Sequence, residues 1–247
     1  MAGPPTSQRV AVLALDRVVP FDLGIPARIF GAARDDAGAR LYEVRTCSIG
    51  GRVVRTSADF SVVLDRDEQA LAEADLVVIA TQEPQGRLRD AGELEPEVEL
   101  ALAQVPDGAR IMSICTGSFI LAAAGLLDGL PATTHWAHAD TFTRLFPHVE
   151  LRPDVLFVDN GRIMTSAGGA AGVDLCLHVV RRDHGAEIAN AAARRCVVPP
   201  WRAGGQAQFI EHPVPTVTAA TTSPTREWAL GRLRGSLTLE DLAAHAG

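Results

Sequence analysis

The stretch that most restricts the fold is residues 111–127, where a short apolar run meets an Ala- and Leu-rich segment across Cys115, Thr116 and Gly117. The first part is typical of a buried strand and the second of a helix. A thiol at such a turn lies beside unpaired backbone N–H groups and the positive end of the helix dipole, which favour a thiolate. Gly117 leaves room for a ligand to approach the backbone. The alternative is a structural cysteine, since free Cys is among the most buried residue types.

The composition excludes several classes of protein. Nearly half of the 247 residues are apolar, enough for the core of one large domain or two small ones. A net charge of −7 argues against a chain-wide nucleic-acid surface, although a small basic patch is not ruled out by an average. No apolar run approaches the roughly 18–20 residues of a membrane span, and residues 1–8 lack the pattern of a signal peptide. No membrane partner is therefore expected.

The cysteines are spaced irregularly. Cys47, Cys115, Cys176 and Cys196 form no CxxC pair, and no His-x-x-x-His motif accompanies them. This pattern argues against a zinc site or a disulfide framework. We expect no metal and no cofactor, and a reducing cytoplasm is the simplest location.

The hydrophobic pattern predicts an α/β fold. Near-continuous apolar runs at residues 9–15, 75–80 and 111–114 are typical of parallel strands covered on both faces. Helices are predicted between them, and β-hairpins at residues 53–63 and 155–165. The prediction is a three-layer sandwich with a mainly parallel central sheet and Cys115 at the carboxyl end of its central strand.

Three blocks in order resemble one superfamily. They are residues 111–127, residues 129–136 with their Thr-Thr-His, and residues 163–174 with a Gly-rich turn. The chain is similar over residues 8–210 to the ThiJ/PfpI superfamily, whose fold is of the flavodoxin-like, class I glutamine amidotransferase-like kind. The resemblance implies a reactive Cys at the elbow, here Cys115.

The resemblance also implies partners for the thiol. In the isonitrile-hydratase-like branch an Asp after the first strand faces the Cys, and Asp22 stands in a similar setting. His135 would adjoin the thiol, and Thr116 follows it as in that branch. On general grounds Asp22 is instead a helix N-cap and His135 a hydrogen-bonded structural residue.

Several positions differ from the superfamily pattern, and these differences argue against particular enzymatic activities. Thr116 takes the place of the His of protease-like members, which argues against a peptidase. The late His-x-Glu of glutamine amidotransferases is missing, since no such motif occurs after residue 150. Residues 81–84 read Thr-Gln-Glu-Pro where the superfamily usually has Pro-Gly-Gly, which places an oxyanion-binding backbone in doubt.

The C-terminal part points to a regulator. Residues 181–185, 197–202 and 204–210 resemble the end of the sensor domain of AraC-family regulators. We expect a linker at residues 211–224 and the start of an AraC-type helix-turn-helix domain at residues 225–247. The recognition helix is not among these residues, which predicts a shortened or truncated regulator.

Two main hypotheses follow. In the first, the chain is the ligand-sensing and dimerisation domain of an AraC-like transcriptional regulator, a homodimer that binds a small effector beside Cys115, Asp22 and His135. It would contact DNA only through a complete helix-turn-helix domain. In the second, it is an isonitrile-hydratase-like enzyme in which Cys115 attacks the substrate carbon, Asp22 handles the proton and Thr116 places water or substrate. A third hypothesis is oxidation sensing by Cys115.

Overall fold

The computed structural model describes residues 7–208, 223–232 and 237–246. Contacts between Cα atoms divide the chain into two compact units, Met1–Ile210 and Glu211–Gly247. The strands of the first unit are β1 Gln8–Ala14, β2 Tyr42–Ser48, β3 Val54–Arg55, β4 Ser61–Val62, β5 Leu76–Ile79, β6 Arg110–Ile114, β7 Pro131–Ala132, β8 Glu150–Leu151, β9 Phe157–Asp159 and β10 Ile163–Ser166. Its helices are α1 Pro20–Ala32, α2 Gly86–Ala91, α3 Pro96–Leu102, α4 Gly117–Ala123, α5 Ala139–Leu145 and α6 Ala170–Cys196.

Six strands form the central sheet in the order β2-β1-β5-β6-β10-β9. All neighbours are parallel except β9 and β10, which form the predicted antiparallel hairpin. The other predicted hairpin is also present, as the antiparallel pair β3 and β4. Because β6 lies between β5 and β10, its carboxyl end, where Cys115 follows, is at the middle of the sheet edge.

The sheet is covered on both faces, so the predicted three-layer sandwich is confirmed. One core cluster joins one face of the sheet to α1 and α6, and a second joins the other face to α3, α4 and α5. Strands β5 and β6 contribute to both clusters, which is why their sequences are apolar at nearly every position.

Some predicted bounds were wrong. Helix α2 was not predicted, since its six residues carry one buried side chain, Leu88, and no apolar period. Helix α6 begins at Ala170 rather than Val173 because small residues of the expected turn already adopt helical geometry. Gly185, with φ of 89°, interrupts α6 as the sequence indicated, in a conformation open mainly to glycine.

A polar cluster ties α6 to the amino-terminal ends of the strands. Asp183 of α6 accepts hydrogen bonds from both terminal nitrogens of Arg110, at 2.8 and 2.7 Å, and from the Tyr42 hydroxyl, at 2.8 Å. Arg110 also donates to Gln8. The cluster therefore fixes three strands and the long helix relative to one another.

The second unit contains α7 Ser223–Leu230 and α8 Leu239–Ala246. Thr238 caps α8 as predicted: its hydroxyl accepts from the Asp241 N–H, and Asp241 in turn accepts from the Thr238 N–H. The rings of Trp228 and His245 stack at 4.6 Å between the two helices. Most of the predicted linker, residues 211–222, lies outside the described residues, and Ser223 and Pro224 belong to α7. No helix in the described part of the chain combines the length and apolar character needed to cross a bilayer.

Candidate functional site

Cys115 occupies a sharp turn between β6 and α4. Its φ of +55° is left-handed, a conformation that non-glycine residues adopt only where neighbours hold it. Its N–H donates to Ser166 O at 2.8 Å, and its carbonyl accepts from the hydroxyls of Ser118 and Thr134, at 2.9 and 3.3 Å. The turn is therefore fixed by β10, by the first turn of α4 and by the segment before His135.

Two glycines make room for this turn. A Cβ on Gly117 would lie 2.5 Å from Ile79 O, and a Cβ on Gly168 would lie 2.3 Å from Cys115 Cβ and 2.9 Å from its Sγ. Gly168 also has φ of +89°. The thiol thus sits directly against the backbone that leads into α6.

Asp22 lies in the first turn of α1 and is almost fully buried. It does not cap α1: its Oδ1 accepts from Gly169 N at 3.2 Å and its Oδ2 contacts the Thr81 hydroxyl. Burial raises the pKa of this carboxyl, against the hydrogen bonds from Thr81 and Gly169 and the charge of His135.

Thr81 follows β5, at the position where the sequence departs from the superfamily pattern. Its hydroxyl lies 3.0 Å from Ile114 O and also contacts Asp22, yet it has a single proton to donate. When that proton goes to Ile114 O, the contact with Asp22 requires the proton on the carboxyl, which agrees with the raised pKa of Asp22. The Thr81 hydroxyl therefore links the carboxyl of Asp22 to the end of β6.

Thr116 is engaged by the same loop. Its hydroxyl donates to Gln82 O, and the residue is buried at the start of α4. The Thr-Gln-Glu-Pro segment is therefore anchored to the elbow rather than open for a ligand at this carbonyl.

His135 is half-buried beyond the short β7. Its Nδ1 accepts from Ala137 N at 3.2 Å, so the neutral ring carries its proton on Nε2. Burial lowers the pKa of His135, and the nearby Asp22 carboxylate opposes this. Among the described hydrogen bonds none joins His135 to Cys115.

The environment of the Cys115 thiol raises its pKa, whereas the sequence predicted a turn that favours a thiolate. Burial, followed by the charge of Asp22, raises the pKa of Cys115 to about 12, although the Thr116 N–H and the nearby hydroxyls of Thr81 and Thr116 act in the opposite direction. Desolvation outweighs the short helix α4 because only 8% of Cys115 is exposed. At neutral pH the resting sulfur is a protonated thiol.

Beside Gly168 a cavity of about 180 Å³ opens to the surface. Its wall includes His135, Trp136, Ala170 and Ala171, together with Arg202 and Gln208 from the segment after α6. Sequence reasoning treated Arg202 and Gln208 as part of a family signature and not as site residues. Their role depends on the fold, since Arg202 pairs with Asp174, 28 positions away.

Metal binding has no obvious place in the described structure. Within residues 7–208, 223–232 and 237–246 no three His, Cys, Asp or Glu side chains are grouped so as to hold an ion.

Comparison with known proteins gives several relatives. The regulator GbdR of Pseudomonas aeruginosa is 30% identical over 184 residues, which cover 74% of this chain and 49% of that protein. The regulator GlxA of Rhizobium meliloti is 27% identical over 92% of this chain and 73% of its own length. The isonitrile hydratase of Pseudomonas putida is 32% identical over 44% of this chain and 48% of that enzyme. This chain thus spans about half the length of GbdR.

The fold also has solved counterparts. An AraC family transcriptional regulator from Pseudomonas putida superposes with a TM-score of 0.64 at 20% identity, over 76% of this chain and 98% of that one. The model of the DJ-1/PfpI family matches residues 8–182, from β1 into α6, and includes Asp22, Cys115 and His135. On this match, which covers more than half of its length, the chain belongs to the DJ-1/PfpI family.

Proposed function

We propose that this chain is the effector-sensing and dimerisation part of an AraC-type transcriptional regulator, followed by part of a helix-turn-helix domain. The observation that carries the proposal is the joining of a DJ-1/PfpI unit to a second helical unit in one chain. The similarity to GlxA supports it, because that match covers 92% of this chain. The capped helix α8 is consistent with the first helix of a DNA-binding motif.

The site chemistry also favours sensing over turnover. The Cys115 sulfur is protonated at rest, and the hydroxyls of Thr81 and Thr116 are occupied by neighbouring carbonyl and carboxyl groups. The cavity beside Gly168 opens to the surface and is lined in part by His135, Trp136 and Arg202. An effector of small size has room to bind there.

Deletion of the gene, followed by complementation, tests the proposal. We expect a small set of transcripts to change on deletion and to be restored by the intact gene. The Cys196→Ala variant should restore them equally, since this thiol lies at the end of α6 and contacts Arg28 O. Unchanged transcripts in the deletion strain, under conditions in which the gene is expressed, would rule out a regulator.

A second candidate is an isonitrile-hydratase-like enzyme. The observation in its favour is a buried carboxyl with a raised pKa, linked through Thr81 to the elbow that carries Cys115. The reaction adds water to an isonitrile to give an N-substituted formamide. Cys115 would add to the terminal carbon, Asp22 would supply the proton to that carbon, and water would then release the thiol.

Steady-state hydration of alkyl isonitriles by the purified chain tests this alternative. An enzyme should lose all turnover in Cys115→Ala and about a hundredfold or more in Asp22→Asn, while Cys196→Ala remains active. Absence of formamide product across the panel would exclude the hydratase.

A further inference from the structure

The wall of the cavity beside Cys115 is completed by a short segment after α6, residues 201–208, here called the strap. Leu156 N donates to Gly204 O at 2.8 Å, and Gln208 N donates to Asp154 O at 2.7 Å. A Cβ on Gly204 would lie 2.7 Å from the ring of Phe157, so the strap fits closely against the start of β9. Its conformation is held by these backbone hydrogen bonds to residues 154–156.

Arg202 is the charged group that the strap contributes. Its Nε and Nη2 donate to the two carboxylate oxygens of Asp174, which is nearly fully buried near the start of α6. This pairing uses one edge of the guanidinium. Nη1 and the second hydrogen of Nη2 have no partner among the described residues, and the side chain remains about one-fifth exposed on the cavity wall.

Gln208, the other polar side chain of the strap, is already satisfied. Gln208 Nε2 lies within hydrogen-bonding distance of several carbonyls, with Pro153 O the nearest at 2.7 Å, and its Oε1 accepts from Trp136 N. His135 Nδ1 accepts from Ala137 N, whereas its Nε2–H and the indole N–H of Trp136 have no partner among the described residues. The cavity wall therefore offers a ligand the free edge of one guanidinium, the rings of His135 and Trp136 with their N–H groups, and the small side chains at the start of α6.

We propose that this pocket takes a small organic carboxylate whose oxygens bind the free edge of Arg202 and whose apolar part lies against Trp136 and Ala171. A planar guanidinium with parallel N–H groups matches a carboxylate in geometry as well as charge. The cavity of about 180 Å³ has room for a compact acid. This inference rests on the proposed sensing function and names the class of its effector.

The ligand class is tested by calorimetric titration of the full 247-residue chain. The probes are acetate, propionate and pyruvate, each beside its amide, which has a similar shape and no charge. We expect each carboxylate that binds to bind about ten to a hundred times more tightly than its amide. Equal affinities for acid and amide, or no binding of any carboxylate at about 10 mM, would overturn the inference.

Two variants assign the binding to Arg202. Asp174→Asn keeps the guanidinium but removes its internal anion, so carboxylates should bind more tightly to it than to the unsubstituted chain. A purely structural role for the pair predicts weaker binding or none. The double variant Arg202→Gln and Asp174→Asn removes both charges without leaving either buried alone, and it should lose the preference for acid over amide.

The matched control is Arg152→Gln, which removes an exposed arginine that is paired with Glu150. This variant should bind carboxylates as the unsubstituted chain does. Hydrogen exchange gives a second measurement: pyruvate should slow exchange at the N–H groups of Leu156 and Gln208, which hold the strap. Failure of these tests leaves the transcript experiment unaffected, because that experiment does not depend on the charge of the effector.

Discussion

At the scale of single residues, the position of Cys115 and its burial have opposite effects on the pKa of its thiol. The strand-to-helix turn brings backbone N–H groups close to the sulfur, but enclosure by Gly168 and the sheet edge removes water from it. Because the charged form loses more from desolvation than it gains from a short helix, the thiol stays protonated. The sulfur is therefore expected to be a poor nucleophile in the resting protein.

The raised pKa predicts slow alkylation. At pH 8, iodoacetamide should modify Cys115 on the order of a thousandfold more slowly than a free cysteine, since little thiolate is present at a pKa of about 12. Asp22→Asn should speed the reaction a few-fold because it removes a negative charge beside the sulfur. Intact-mass and peptide mass spectrometry measure both rates.

The internal control for alkylation is Cys196, which is partly exposed and should be modified earlier. Labelling of Cys115 as fast as Cys196 would contradict the burial argument. It would also revive the hypothesis of oxidation sensing, since peroxide attacks the thiolate form.

Gly168 is predicted to be the least replaceable glycine of the site. Gly168→Ala forces a methyl group onto Cys115 Cβ in addition to the cost of φ of +89°, so we expect a loss of about 3 kcal/mol or more in unfolding free energy. Gly161→Ala has a similar φ of +83° with open space around it and should lose only about 1–2 kcal/mol. Urea denaturation compares them, and equal losses would show that the contact with Cys115 does not matter.

At the scale of secondary-structure elements, the site exists because α1, α6 and three strands meet at one sheet edge. Asp22 comes from α1, Thr81 follows β5, Cys115 follows β6 and Gly168 leads into α6. The middle of α6, just before the break at Gly185, is held by the contacts of Asp183 with Arg110 and Tyr42. Ion pairing at the amino-terminal ends of the strands therefore helps to hold the helix that follows Gly168 against the sheet.

The ion pair of Asp183 with Arg110 predicts a contribution to the unfolding free energy that varies with pH. Burial alone would raise the pKa of Asp183, but hydrogen bonds from Arg110 and Tyr42 and the nearby arginine charges lower it below 3.8. The carboxylate therefore stabilises the fold fully above about pH 4, and this contribution is lost as pH falls through the lowered pKa. Asp183→Asn should reduce the unfolding free energy by about 1–3 kcal/mol at pH 7.

Urea unfolding at pH 7 and pH 3 checks the sign. The difference between the unsubstituted chain and Asp183→Asn should shrink at pH 3, because the carboxyl of the unfolded chain is then mostly protonated and the advantage of the folded carboxylate is reduced. Glu150→Gln, at an exposed pair with Arg152, should change stability by less than about 1 kcal/mol at either pH. A constant difference for Asp183→Asn would mean that the pair contributes by packing and not by charge.

At the scale of the whole molecule, the proposed function requires self-association. Helix-turn-helix regulators commonly bind two half-sites as dimers, which agrees with the homodimer that the family resemblance implies. Sedimentation equilibrium should give twice the chain mass of 26.2 kDa at micromolar concentration. A monomer throughout the concentration range would contradict a dimerisation role for this part of the regulator.

The sequence predicted the features that depend on local pattern. The buried strands, the two hairpins, the elbow at Cys115 and the cap at Thr238 each follow from a few adjacent residues. The raised pKa of Cys115 could not be predicted from the sequence, because it depends on how completely Gly168 and the sheet edge enclose the sulfur. The contact of Thr81 with Asp22 could not be predicted either. The sequence shows that residue 81 departs from the superfamily pattern, but its hydroxyl meets Asp22, 59 positions away, only in the folded chain.

The order of the strands has a consequence for how the protein folds. Asp22 meets Gly169 across 147 positions and Thr81 across 59, so the site cannot assemble from any local segment. Because pairing of strands that are distant in sequence is slow, we expect the site and the adjoining cavity to form late in folding. A ligand that fits it therefore binds only chains whose sheet is complete, and it shifts the folding equilibrium towards them. In a cell, the abundance of the folded protein would then rise with the concentration of its own ligand.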